Sequence, residues 1–223
     1  MTIARRFAVL CLLVIIGAVG ASAQLGMMHD RPPMRGILNP VVGLGGQYEV
    51  TTQRGTKMVM EMVIIGKETV DGKDAYWFET TVDNTQMGEI VTKTLTVVDG
   101  QDSYVSRMIM QMANRPPMEM PAQMAKARGQ KQPTDIRSQA DDLGSESVTT
   151  PAGTFTAEHY KMKDGSGDVW IADKAGPYGL VKFQGKDASM QLTKIINDGK
   201  DKIKGTPQPF NPMMMGQQDQ QHQ

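Results

Sequence analysis

The sequence predicts a mainly β protein: a single strongly curved antiparallel sheet (a half-barrel) with a short helix-bearing insertion. Three observations lead there. Apolar and polar residues alternate with a period of two over most of residues 47–198. Turn signals such as Asp71-Gly72 and Asp99-Gly100 separate these runs at short intervals. Short connections join antiparallel neighbours, because parallel ones need long crossovers, and about ten strands in one sheet tend to curl.

The elements follow in order. Residues 24–46 carry Pro32, Pro33, Pro40 and five glycines without a sustained period, and read as an irregular arm. Tyr48–Thr52 is a first strand, and Arg54-Gly55 turns the chain into Lys57–Ile65. There Met58, Met60 and Met62 share one face, opposite Val59, Glu61 and Val63. Ala75–Val82 and the β-branched Glu89–Val98 follow, then Ser103–Met112, where Met108, Met110 and Met112 again share a face. Three prolines break the pattern between Asn114 and Pro121, and Pro121 is placed to open a short helix through about Arg128. Strands resume at Ser145–Thr150, Thr154–Met162, Asp168–Ala172, Leu180–Gln184 and Ser189–Ile196. The polar, low-complexity residues 199–223 read as a disordered tail.

Residues 1–23 have the pattern of a secretory signal. Arg5 and Arg6 precede a 13-residue apolar run, Phe7 to Val19, and Ala21-Ser22-Ala23 supplies a small-x-small cleavage site after Ala23. The run is shorter than the roughly 20 residues that span a bilayer. Cys11, the only cysteine, lies within it, so the cleaved chain has none, as suits an oxidising bacterial envelope. The expected location is periplasmic or secreted, with no transmembrane segment once the signal is removed.

Composition narrows the function. The 24 Lys+Arg balance the 24 Asp+Glu, so no net field favours nucleic acid or an acidic membrane. One cysteine builds neither a disulfide scaffold nor a thiolate zinc site. No nucleophile elbow, zinc-protease helix, phosphate loop or dinucleotide fingerprint is present. His159 sits beside Glu158 on a strand, where neighbours face opposite ways and do not form a pair. The expectation is a protein without catalysis, cofactor or resident metal.

The stretch from Ser147 to Gly185 carries Thr150-Pro151-Ala152-Gly153-Thr154-Phe155, Tyr160, Trp170-Ile171 and Pro177-Tyr178-Gly179-Leu180-Val181-Lys182. In these residues it resembles the LolA/LolB-like lipoprotein-carrier superfamily, the outer-membrane lipoprotein-sorting-like exported proteins. That resemblance implies a half-barrel and the carriage of an apolar ligand.

The residues give a related reading of their own. Phe155 and Tyr160 face opposite sides of one strand, as do Trp170 and Ile171. A sheet with large apolar groups on both faces is covered on both, or lines a cavity with one. The candidate ligand-binding set is Met58, Met60, Met62, Met108, Met110, Met112, Phe155 and Trp170. Methionine suits variable apolar ligands because its unbranched, polarizable chain repacks readily. The expected function is therefore a periplasmic binder or carrier of a lipid or of a lipoprotein acyl chain, with the insertion around Met118–Arg128 as a lid. Two alternatives stand beside it. One is a Met-rich copper-binding envelope protein, since thioethers favour Cu(I) and methionines also cluster at 27–34 and 213–215. The other is a structural module that holds an envelope protein partner along a sheet edge or through its arms.

Overall fold

The computed structural model describes residues 36–84, 88–113, 115–121, 123–125 and 131–210. The signal segment, residues 24–35 of the arm, residues 211–223 and half of the expected insertion helix lie outside these. Of that helix the described residues show its opening, where the Met124 and Ala125 amides donate to the Pro121 carbonyl.

Alternation yields strands where the sequence places them. The first five are β1 (Gly45–Thr52), β2 (Lys57–Val70), β3 (Lys73–Asn84), β4 (Gly88–Asp99) and β5 (Asp102–Met112). Two-residue strands β6 (Met118–Glu119) and β7 (Gln132–Pro133) and a 3-10 turn (Ile136–Gln139) occupy the insertion. The second series is β8 (Ala140–Thr150), β9 (Gly153–Met162), β10 (Gly167–Ile171), β11 (Leu180–Gly185) and β12 (Ala188–Ile196), with β13 (Gln208–Pro209) last. At the β2–β3 turn Asp71 and Gly72 both take positive φ, 49° and 76°, the geometry a two-residue hairpin requires.

All thirteen strands among the described residues belong to one sheet. Its path runs β13-β6-β5-β4-β3-β2-β1-β12-β11-β10-β9-β8, with β7 pairing β5 to the side. Two antiparallel meanders are thus joined by one seam, β1 against β12, in the register Tyr48↔Leu192 and Val50↔Met190.

The strongly curved half-barrel of the LolA-like type is overturned. The sheet is open and uncurled, and its end strands β8 and β13 do not pair. The physical reason is visible on β3. Tyr76 and Phe78 are buried on one face and Trp77 on the other. Each face has its own local cover, so the sheet does not need to wrap around one cavity. Leu38 and Tyr178 pack with Met62, Ile64, Tyr76 and Phe78, and Phe78 stacks on Tyr178 at 5.6 Å. On the other face Ile203 packs with Ala75, Trp77, Leu95, Val97 and Ile109. Residues 199–210, assigned by composition to a disordered tail, supply this second cover.

The largest core cluster straddles the seam. It gathers Tyr48, Val50, Met60 and Val82 from the first meander with Tyr160, Val169, Trp170, Leu180, Phe183, Met190 and Leu192 from the second. Within it the Tyr48 hydroxyl is buried with no hydrogen-bond partner among the described residues, and burial pushes its ionisation well up. It lies against Gly176, where a Cβ would stand 2.8 Å from the oxygen. An unpaired buried hydroxyl costs free energy that a ring hydrogen does not. Tyr48→Phe is therefore expected to stabilise the fold by about 1 kcal/mol, read as a higher denaturant midpoint at unchanged slope.

Candidate functional site

Strand register determines which candidate residues meet. Met60 pairs with Val82, Val82 with Ile90, and Ile90 with Met112. One step along, the row is Met62, Thr80, Thr92, Met110, and the next is Ile64, Phe78, Thr94, Met108. Paired residues in a sheet point to the same side. Both methionine triplets therefore lie on one face of the β2–β5 meander, flanking a seam of Thr80, Thr92 and Thr94. Met118 joins them through its pairing with Met110.

Met60, Met62, Met108, Met110 and Met118 are buried, while Met58, Met112 and the three threonines are half-buried. This face is covered in the folded chain. A shallow notch of about 120 Å³ lies elsewhere, lined by Thr51, Thr52, Gln53, Gln184, Gly185, Lys186, Ala188 and Ser189.

Phe155 and Trp170 take a different place. With Met58 and Met60 they pack in the seam core, apart from Met62 and from the β5 triplet. The Trp170 ring is held on both sides. His159 stacks on it at 4.3 Å, and the Lys182 ammonium stands 4.6 Å from its centroid. Its indole N–H donates to Glu146. His159 Nδ1 also approaches Glu146 at 3.3 Å, and its Nε2 lies 3.7 Å from Asp168. The neighbouring Glu158 turns away, as strand alternation demands, and accepts from the Tyr160 hydroxyl. Burial and this carboxylate push Tyr160 up to about 12. Cross-strand pairing thus supplies His159 with partners from β8 and β10 that its own strand does not show.

A second polar cluster escaped the sequence reading altogether. Glu79, in the middle of β3, is 2% exposed, and its two carboxylate oxygens accept the Lys202 backbone N–H at 3.0 Å each. Around it Lys93 pairs with Asp201, and Lys202 Nζ reaches Glu61 at 2.7 Å. Lys93 and Arg107 also lie over the Trp77 ring, 4.9 and 5.3 Å from its centroid. The signal in the sequence is a lone acid in the otherwise apolar or hydroxylic run Ala75–Val82.

Among the described residues no three His, Cys, Asp or Glu side chains are grouped to hold a metal ion. No helix there is long and apolar enough to cross a membrane.

No family model and no curated protein sequence matches the chain. Solved structures give partial superpositions. A lipoprotein candidate from Parabacteroides distasonis is 12% identical, with a TM-score of 0.39, over 72% of this chain and 98% of its own. An exported-protein candidate with a YmcC-like fold from Bacteroides fragilis is 11% identical, with a TM-score of 0.36, over 72% and 99%. A protein named MucB is 11% identical, with a TM-score of 0.34, over 84% and 64%. None of the three is described as a LolA or LolB carrier.

Proposed function

We propose that this chain is an exported, non-enzymatic binding protein that receives an apolar ligand, a lipid or an acylated segment, on the methionine face of β2–β5. The observation that carries the reading is the register that puts Met58, Met60, Met62, Met108, Met110 and Met112 on one side of the sheet. Side chains of this kind repack around chains of varied shape, and burial of an acyl chain contributes about 0.8 kcal/mol per methylene. The ligand would displace the segments that now cover the face. Leu38 and Tyr178, packed against the cluster of Met62 and Phe78, are among the described residues that would have to move.

The same register bears on the copper alternative for the two triplets. Met60 and Met112 stand three strand spacings apart, roughly 14 Å, so the two triplets do not share one ion.

The test is uptake of a fluorescent fatty acid, with lipid mass spectrometry of solvent extracts of the purified protein. Binding at micromolar affinity or tighter is expected. Thr92→Arg, which plants a charge between the two methionine rows, should weaken it about tenfold or more while far-ultraviolet dichroism is unchanged. A protein that is empty on extraction and indifferent to the probe overturns the reading.

A further inference from the structure

The segment after β12 crosses the Trp77 face of the meander and is fastened along its length, Lys202 Nζ to Glu61 among the contacts. The Lys202 amide is bound by Glu79, and Asp201 by Lys93. Lys204 exchanges both backbone bonds with Gln111, its N–H donating to Oε1 at 2.9 Å and its carbonyl accepting from Nε2 at 3.1 Å. Beyond these, β13 pairs in parallel with β6, in the register Gln208↔Met118. Only the first fastening buries a carboxyl group, and it sets that group beside a second one.

We propose that residues 199–210 form a strap latched by Glu79 and Asp201, and that the latch loosens as pH rises through neutrality. The groups that face Glu79 are Glu61 on β2, Lys93 on β4, and Asp201 and Lys202 on the strap; Gln111 on β5 is uncharged. Both cations are engaged by other acids, Lys93 by Asp201 and Lys202 by Glu61. Glu79 is thus left with backbone amides and a carboxyl neighbour. Burial pushes the Glu79 acid up to about 7, the Lys202 amide pulls against that, and the hydrogen-bonded Asp201 carboxyl adds to it. Asp201, against its own partial burial, is held below the usual carboxylate range by Lys93 and by Glu79. Two carboxyl groups in contact share one proton more readily than they bear two charges.

The sign follows from proton binding. With the strap down, Glu79 keeps its proton up to about pH 7; with the strap lifted, water returns it to the ordinary value of 4.5. Between these limits the latched form holds one more proton, so raising the pH favours opening. From pH 6 to pH 8 the opening equilibrium should rise about tenfold. Above pH 8 little further change is expected, because Glu79 is then ionised in both forms.

Amide hydrogen exchange at Lys202, Ile203 and Lys204, corrected for intrinsic rates, reads this equilibrium. Protection in the unmodified protein should fall about tenfold between pH 6 and pH 8. Glu79→Gln keeps an acceptor for the Lys202 amide without a titrating proton, and its protection should be the same at both pH values. Asp201→Asn, at an exposed position, removes the carboxyl neighbour and should shrink the fall. Protection independent of pH in the unmodified protein overturns the proposal. So does an undiminished fall in both variants. Neither result depends on whether the methionine face binds a lipid.

Discussion

Leu192→Ala is expected to lower the unfolding free energy of the whole sheet by about 3 kcal/mol, the range for emptying a fully buried leucine site. Leu192 has no exposed surface and stands opposite Tyr48 in the one strand pair that joins the two meanders among the described residues. Its cluster takes residues from β1, β2 and β3 on one side and from β9 to β12 on the other. A cavity there loosens both halves at once. The chain has two tryptophans, and they fall one in each meander, Trp77 on β3 and Trp170 on β10. Trp77→Phe and Trp170→Phe therefore leave single reporters in the second and the first meander respectively. In each background Leu192→Ala should shift one cooperative transition by the same free energy. Two separated transitions, or a shift seen by Trp170 alone, would show that the seam core does not unite the meanders.

Gly167→Ala should cost about as much, roughly 3 kcal/mol, from a single added methyl group. Gly167 opens β10 opposite Gly185, with φ at +141°. A Cβ there would stand 2.3 Å from the Gln184 carbonyl oxygen and 2.7 Å from the Gly185 Cα. Both obstacles are backbone, held by strand pairing, so neither swings aside as a side chain would. Gly165, two residues earlier in the same turn, gives the control. Its φ is +74°, but a Cβ would meet nothing within 4 Å. Gly165→Ala should then cost only the left-handed penalty of about 1 kcal/mol. Denaturant midpoints of the two variants check the difference. Equal costs would mean that φ alone, and not the approach of β11, makes Gly167 necessary.

The strands were legible because their signal is local. Alternation and β-branched residues mark ten segments, and Asp-Gly pairs mark turns, all within a few neighbours of each other. Curvature was not, because period two says that both faces are apolar without saying what covers them. Phe155 with Tyr160, and Trp170 with Ile171, mark large apolar groups on both faces, and the inference of strong curvature from the number of strands is the step that fails. The strap was missed for the same reason. Lys202 and Glu79 are 123 positions apart, and nothing near Lys202 in sequence resembles a strand or a helix. For the methionine triplets, alternation put each on one side of its own strand. That β2 and β5 present them to the same side follows from the regular pairing of residues 60–64 through β3 and β4 to residues 108–112, which only the three-dimensional arrangement supplies. His159 shows the limit of reasoning along one strand. Its partners Glu146 and Asp168 come from the strands on either side.

The β1–β12 seam also sets the order in which this chain can fold. Each meander is assembled from hairpins between consecutive strands, contacts of short range that form quickly. The seam is different: Gln191 donates to Glu49 across 142 positions. Until β12 has been made, β1 has one free edge and the residues of the seam core have no second wall. During synthesis the first meander therefore waits, with a sticky strand at its border, for the arrival of the last long one. The slow step is a loop closure that encloses almost the entire β region, and a chain truncated ahead of Ala188 would be arrested in that waiting state, prone to pair β1 with another copy of itself.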